Sequence, residues 1–157
     1  MTTADDDAEA YLTMANTGIQ FTIPVAHRMG VTFVELRPGH VVAEVPVDGN
    51  TNHVGTMYAG VLFTVGEILG GGISIASFDN SAYYPIVKEL KIRFRRPART
   101  TVRATASLDE QTIAETLKRA EADGKADFTL DAELVDEEGT VVATTHGTYQ
   151  LRAFAAG

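Results

Sequence analysis

The stretch Val54–Phe78, VGTMYAGVLFTVGEILGGGISIASF, decides the fold because it is mostly apolar and carries a single formal charge, Glu67. Its 25 residues would be long enough to cross a membrane as a helix. Its six glycines, and the lack of aromatic and basic residues at both ends, argue against a lipid-facing span. A helix that is apolar on all sides is also typical of a protein core. We therefore predict a central buried helix here and no membrane span.

Alternation of apolar and polar residues on both sides of this helix predicts six strands. They are predicted over residues 31–36, 41–47, 90–94, 102–108, 126–134 and 141–151. Pro38-Gly39 and the segment 136–139 contain residues typical of hairpin turns. Pro46 predicts a sheet edge or a strand end, because proline has no backbone N–H to donate. Such a sheet is antiparallel and covers the central helix with one face.

Two further helices are predicted. The acids of Asp5–Glu9 favour a helix start, and Gly18 favours the end of that helix. Residues 111–122 have helical spacing and follow Asp109, a suitable N-cap. The predicted order is a helix, two strands, the central helix, and four strands with a helix inserted between the second and the third of them.

Length and composition suit one α+β domain over residues 1–157, since 45% of the residues are hydrophobic. We expect an N-terminal helical segment at 1–29 and a core at 30–152.

The absence of cysteine excludes disulfides, thiolate metal sites and a cysteine nucleophile. The first residues are acidic where a secretory signal is basic, so we expect a cytoplasmic protein. The four histidines lie far apart along the chain, so no metal is expected.

The basic residues are concentrated in the segment Lys88–Arg103. This segment holds seven lysines and arginines against one acid, Glu89, although the whole chain has a net charge of −8. An acidic chain repels phosphate, so no nucleic-acid partner is expected. The segment either binds a phosphorylated ligand or is a solvated strand pair that balances neighbouring acids. Both interpretations stay open at this point.

Glu67 is the residue of the central helix that needs an explanation. An ionised carboxylate in an apolar helix is unfavourable unless it is paired, hydrogen-bonded or used in chemistry, and burial raises its pKa. It serves either as a reactive group or as an acceptor for backbone amides at an interface. The polar loop Asn50–Thr56 precedes the helix, whose first backbone amides could hold an oxyanion.

The segment Asn52–Glu67, NHVGTMYAGVLFTVGE, resembles the active-site segment of hotdog-fold acyl-CoA thioesterases of the PaaI-like group, and closely that of its DUF4442 branch. The resemblance extends over residues 30–151. In this group an asparagine is followed three residues later by a glycine, then by a His-Gly pair, and nine residues after the histidine by an acid. The same positions hold Asn52, Gly55, Tyr58-Ala59 and Glu67. The resemblance implies a hotdog fold, in which an antiparallel sheet wraps around a long central helix.

The resemblance also implies a role for each residue. Glu67 would act as general base or nucleophile on the thioester, the Ala59 amide would polarise the carbonyl, and Asn52 would position the water or the substrate. Further substrate contacts are expected from His53, Gly55, Tyr58, Gly60, Arg93, Arg95 and Arg96. The arginines would bind the phosphates of coenzyme A. A thiolate leaves readily, so no metal is needed, and no cofactor is expected beyond the coenzyme A of the substrate.

The subunits of these enzymes share their active sites, so the resemblance implies a homodimer or a dimer of dimers. Two positions depart from the group. Tyr58-Ala59 replaces the His-Gly pair, and Val87 stands where some relatives have a serine or threonine that assists the acid. A non-catalytic module that binds acyl-CoA or lipid is therefore an alternative. A hydratase or dehydratase is another, although it would need a histidine near Glu67 in the helix.

Overall fold

The computed structural model describes residues 3–155, and this part of the chain contains five helices and six strands. The helices are α1 (Ala4–Thr22), α2 (Pro24–Met29), α3 (Ala59–Glu67), α4 (Leu69–Ser77) and α5 (Glu110–Asp123). The strands are β1 (Thr32–Arg37), β2 (His40–Val45), β3 (Tyr83–Phe94), β4 (Val102–Ser107), β5 (Lys125–Val135) and β6 (Val141–Ala153). This is the predicted order of helices and strands, except that α2 was not predicted and the central helix is divided into α3 and α4.

The six strands form one antiparallel sheet in the order β1-β2-β4-β5-β6-β3. Burial alternates along β5, where every second residue from Ala126 to Leu134 is buried and most of the residues between them are exposed. One face of the sheet therefore packs against the central helices α3 and α4. This is the expected α+β hotdog arrangement, in which β3 forms one edge and, within residues 3–155, pairs only with β6.

The central helices are buried because apolar side chains surround them. Those at most 4% exposed include Val61, Leu62, Val65, Leu69 and Ile73. Within residues 3–155, Ala59–Ser77 is the one helical stretch long and apolar enough to cross a membrane, and 61% of its apolar window is buried inside the protein. Such burial is typical of a core helix.

The central helix differs from its prediction in its middle. It begins at Ala59, inside the apolar stretch and after the polar loop expected before the helix, and residues 54–57 belong to that loop through hydrogen bonds of their own. It is interrupted at Ile68, whose carbonyl accepts from the amides of both Gly71 and Gly72 at 3.1 Å. Hydrophobic periodicity does not show this interruption, since the stretch is apolar on both sides of it.

The first helix runs past Gly18, so the prediction of its end there is wrong. α1 begins with a capping box, in which the side chains of Thr3 and Asp6 each accept from the other's backbone amide. Its C-cap is Ile23, directly before Pro24, which opens α2. A mid-helix glycine is unfavourable by only about 1 kcal/mol relative to alanine, which the packing of α1 on β1 offsets.

Most strand boundaries differ from the prediction by one or two residues, and two of the differences have a clear physical reason. β2 ends at Val45 because Pro46 cannot donate to the ladder, in line with the expected strand end. β3 begins at Tyr83, seven residues earlier than predicted. A register shift between Val87 and Glu89 breaks the alternation on which the prediction depended. The extra length of β3 forms one wall of the cavity described next.

Candidate active site

Glu67 is the last residue of α3, and its side chain is half-buried. It lines a cavity of about 170 Å³ whose other residues are mostly apolar. These are Ile23, Ile68, Gly71, Pro85, Ile86, Val87 and Tyr149. Burial raises the pKa of Glu67 above its usual 4.5, and no protein group within residues 3–155 offsets this with a hydrogen bond to the carboxylate. Val87 lines the same cavity as Glu67.

Tyr149 of β6 lies beside Glu67 and was not identified from the sequence. It is 2% exposed, and its ring stacks on that of Phe128 with centroids 5.6 Å apart. Its hydroxyl donates to the backbone carbonyl of Glu67 at 2.9 Å. Burial, and then the neighbouring Glu67 carboxylate, raise the pKa of Tyr149 far above its usual range, so the phenol stays protonated at neutral pH.

The side chain of Asn52 holds together the loop before α3. Its Oδ1 accepts from the backbone amides of Val54 and Thr56 at 3.0 and 3.1 Å. Its Nδ2 donates to Thr56 Oγ1 at 2.9 Å. An amide NH₂ group carries two hydrogens, so one N–H of Asn52 remains for a ligand. Asn52 is thus a turn former that keeps one free donor.

Asn50 is a buried anchor of the same loop, and its role also went unrecognised in the sequence. Its Nδ2 donates to the carbonyls of Met29 and Pro46 at 2.7 and 2.8 Å. Its own carbonyl accepts from the Tyr58 amide at 2.8 Å. These bonds fix the start of α3 relative to α2. An asparagine in a turn-rich loop carries no sequence signal that separates such an anchor from a ligand-binding residue.

The first backbone amides of α3, those of Ala59 and Gly60, have no acceptor among the residues that the structure describes. The N-cap residue Tyr58 does not provide one, because its side chain makes no capping bond and is 56% exposed. The Tyr58 ring instead lies over Gly60, where a Cβ would be 2.7 Å from Tyr58 Cε1. The start of α3 therefore keeps free donors.

A second cavity, of about 330 Å³, lies at the start of α3. Asn52, Ala59, Arg95 and Arg96 all line it. The positive end of a helix dipole and two guanidinium groups therefore lie around one space. Such a set of donors suits a negatively charged ligand.

The basic segment divides into paired and unpaired residues. Among the described residues, the ion pairs of this segment are Lys88–Asp127 at 2.6 Å, Lys91–Glu89 at 3.5 Å, Arg103–Glu44 at 3.0 Å and Arg103–Glu35 at 3.9 Å. In the described part of the chain, no acid pairs with Arg93, Arg95 or Arg96, which together line a neighbouring groove of about 390 Å³. Part of the segment therefore balances neighbouring acids, as one interpretation expected, and phosphate binding by the other part stays a prediction.

A single chain does not bring Glu67 and Ala59 together. They lie at opposite ends of α3, about 12 Å apart along the helix axis, and line different cavities. His53 and Gly55 are exposed in the loop and line neither cavity. An open groove of about 770 Å³ lies on the outer face of the sheet and includes none of these four residues.

The outer edge of β3 has no partner strand within residues 3–155. It carries two exposed apolar side chains, Val87 and Phe94, which are 42% and 51% exposed. Long edge strands with apolar side chains commonly pair with another chain. Val87 lines the Glu67 cavity and Phe94 lines the Ala59 cavity, so this edge runs past both.

The family comparison decides the classification. The model of the DUF4442 family, a domain of unknown function, matches residues 13–151. This chain belongs to that family. No protein among the curated sequences matches it.

Solved structures agree with this classification. A Pseudomonas aeruginosa protein of unknown function, described as a probable thioesterase, is 42% identical and has a TM-score of 0.83 over 90% of this chain and 95% of its own. A mutant of another thioesterase from that species is 20% identical with a TM-score of 0.72, covering 91% and 94%. Escherichia coli PaaI, from the phenylacetic acid degradation operon, is 16% identical with a TM-score of 0.67, covering 94% and 96%. The DUF4442 chain therefore has the hotdog fold of the PaaI-like thioesterase group.

Proposed function

We propose that this protein is an acyl-CoA thioesterase in which Glu67 acts on the thioester. The proposal rests on the half-buried Glu67 carboxylate, which lies in a mostly apolar cavity and accepts no hydrogen bond from the described residues. A carboxylate in such surroundings is unfavourable and is commonly kept for chemistry. The description of the 42% identical relative as a probable thioesterase supports the same reaction class.

Glu67 would activate a water molecule as general base or attack the thioester carbon as nucleophile. A general base works best when its pKa is near the working pH, and burial moves the pKa of Glu67 in that direction. The thiolate of coenzyme A is a good leaving group, so a strong general acid is not required. One carboxylate and an oxyanion donor are then sufficient.

The start of α3 would supply the other half of the site. The Ala59 amide would donate to the thioester oxygen as negative charge develops on it. The remaining N–H of Asn52 would orient the substrate or the attacking water. Arg95 and Arg96 would bind the phosphates of coenzyme A, with Arg93 extending the basic surface.

Glu67 and Ala59 can act on one thioester if each comes from a different subunit. We therefore propose a homodimer in which the β3 edges join the two sheets. A two-fold axis would place the two α3 helices in opposite directions, so that the end of one helix lies near the start of the other. This arrangement would bring Glu67 of one subunit near Ala59 of the other, although the two residues are about 12 Å apart within one chain.

The test is release of free coenzyme A from short, medium, long and aromatic acyl-CoA substrates by the wild type and by Glu67→Gln. The chain has no cysteine, so a thiol reagent detects coenzyme A without background from the protein. Glutamine keeps the size of the side chain and removes the base. We expect turnover by the wild type and a loss of about 10²- to 10⁴-fold in kcat for the variant. Equal turnover by the two proteins would contradict the role of Glu67.

A non-catalytic module that binds acyl-CoA is the second candidate. Val87 favours it, because a hydroxyl beside Glu67 could assist the acid whereas valine cannot donate a hydrogen bond. Saturable binding across the panel, without turnover of any substrate, would establish this function and exclude the first.

A further inference from the structure

The interruption of the central helix lies directly after Glu67. In a continuous α-helix the Glu67 carbonyl would accept from the amide of Gly71, four residues later. That amide donates instead to the carbonyl of Ile68 at 3.1 Å. The Glu67 carbonyl accepts from the Tyr149 hydroxyl at 2.9 Å. The Tyr149 hydroxyl of β6 thus takes the place of the Gly71 amide as hydrogen-bond donor to the carbonyl of Glu67, the residue that we propose acts on the thioester.

Two glycines form the slot that holds the Tyr149 ring. A Cβ at Gly70 of α4 would overlap Tyr149 Cε1, and a Cβ at Gly147 of β6 would lie 2.5 Å from Tyr149 Cε2. Phe128 stacks on the same ring with an interplanar angle of 18°. With 2% of Tyr149 exposed, these contacts fix the ring and therefore the place of its hydroxyl.

We infer that Tyr149 is a positioning residue for Glu67. The Tyr149 hydroxyl holds the helix interruption open and so directs the Glu67 carboxylate into the 170 Å³ cavity. The inference rests on the proposed thioesterase function. Without the hydroxyl, the Glu67 carbonyl would lack its partner, and the helix would close towards Gly71. Closure would turn the Glu67 side chain about the helix axis, and displacements of about 1 Å are enough to slow an enzyme about 10²-fold.

The test compares Tyr149→Phe with Thr116→Val. Thr116 of α5 is fully buried and its hydroxyl donates to the Thr112 carbonyl at 2.7 Å, so each substitution removes one buried hydroxyl that donates to a backbone carbonyl. We expect Tyr149→Phe to lower kcat about 10- to 100-fold and to change KM by less than about 2-fold, because substrate contacts at the start of α3 are kept. Thr116→Val should keep the wild-type kcat, since α5 forms no part of the site.

Gly70→Ala is a second variant, which keeps the Tyr149 hydroxyl group but changes its position. Its methyl group would displace the Tyr149 ring from the slot, so we expect the same loss of kcat at a nearly constant KM. All variants are assayed well below the midpoint of their thermal unfolding. If Tyr149→Phe does not fold, the kcat of Gly70→Ala shows whether the position of the Tyr149 hydroxyl affects the reaction.

Three outcomes would overturn the inference. A wild-type kcat in Tyr149→Phe would exclude the positioning role while leaving the thioesterase proposal intact. A comparable loss in Thr116→Val would assign the effect to stability rather than to position. A wild type without Glu67-dependent turnover would overturn the proposed function itself, and this role of Tyr149 with it.

Discussion

The Glu67 carboxylate lies in surroundings that favour its protonated form, and this affects stability as well as chemistry. In the unfolded chain the group is in water and ionises near its usual pKa of 4.5. In the folded protein burial raises that pKa. Ionisation at neutral pH therefore weakens the native state, which is typical of a residue kept for function rather than for stability.

We predict that Glu67→Gln stabilises the protein at neutral pH. As the pH rises from about 4.5 through the higher native pKa, the unfolded state loses its proton first, so the free energy of unfolding of the wild type falls. Glutamine has no proton to lose. Thermal unfolding should give the variant a higher midpoint than the wild type at pH 7 and an equal one at pH 4.

The control for this comparison is Glu138→Gln, since Glu138 is exposed in the turn between β5 and β6. It should leave the midpoint unchanged at both pH values. A lower midpoint for Glu67→Gln than for the wild type at pH 7 would contradict the prediction, because it would mean that the native protein stabilises the Glu67 carboxylate.

Arg95 and Arg96 are predicted to contribute to KM rather than to kcat. A charge-assisted hydrogen bond to a phosphate contributes about 1–2 kcal/mol, so each alanine variant should raise KM for acyl-CoA about 5- to 30-fold. A thioester of N-acetylcysteamine lacks the phosphates and should show the same KM with wild type and variants. Arg103→Ala is the control, because Arg103 already pairs with Glu44 at 3.0 Å. A KM increase that persists with the truncated substrate would contradict phosphate binding.

Sequence reasoning reached some of these residues and missed others for a physical reason. Glu67 stands out because it is the only charge in a long apolar run. Tyr149 does not, because its role depends on a slot formed by Gly70 and Gly147, which are far apart in the chain. The same holds for Asn50, whose acceptors Met29 and Pro46 are brought to it by the fold.

At the scale of elements, the glycines of α4 determine how closely the sheet approaches the helix. A Cβ at Gly72 would overlap the ring of Phe33 on β1, which is 5% exposed and has little room to move. Nothing lies within 4 Å of a Cβ at Gly71. A side chain therefore has room at Gly71 but not at Gly72, although the sequence shows the same residue type at both positions.

We predict opposite effects of alanine at these two positions. Gly72→Ala should lower the free energy of unfolding by about 1–3 kcal/mol, because the added methyl group has no space. Gly71→Ala should raise it by about 0.5–1 kcal/mol, since alanine favours the helix and meets no neighbour. Urea unfolding of the two variants measures both values. The reverse order of stabilities would contradict the packing of α4 on β1.

Periodicity predicted the elements better than their irregularities. All six strands and the central helix were predicted, because alternation and continuous apolar runs depend on local sequence. The interruption after α3 and the register shift in β3 were not, because each depends on hydrogen bonds with other segments. Both irregularities lie at the Glu67 cavity, so the sequence predicted the fold more completely than the site.

At the scale of the whole molecule, the candidate site is divided between the two ends of one helix. Glu67 lies at the end of α3 and Ala59 at its start, in different cavities along the edge strand β3. We propose that two subunits complete each site, with Glu67 from one and the Ala59 amide from the other. Two variants, each lacking one half, test this directly.

Glu67→Ala removes the carboxylate, and Ala59→Pro removes the amide N–H. Proline is tolerated at the first position of a helix, and Tyr58 before it already has the extended backbone that proline requires, with φ −62° and ψ 138°. Each variant alone should be inactive. A mixed dimer would hold one intact site, formed by the Glu67 of one chain and the Ala59 amide of the other.

The most direct measurement is therefore coenzyme A release after the two variants are unfolded together in equal amounts and refolded. Half of the dimers should be mixed, and each should have one working site of two, so we predict about a quarter of the wild-type activity. A mixture no more active than the separate variants would contradict a site shared between subunits.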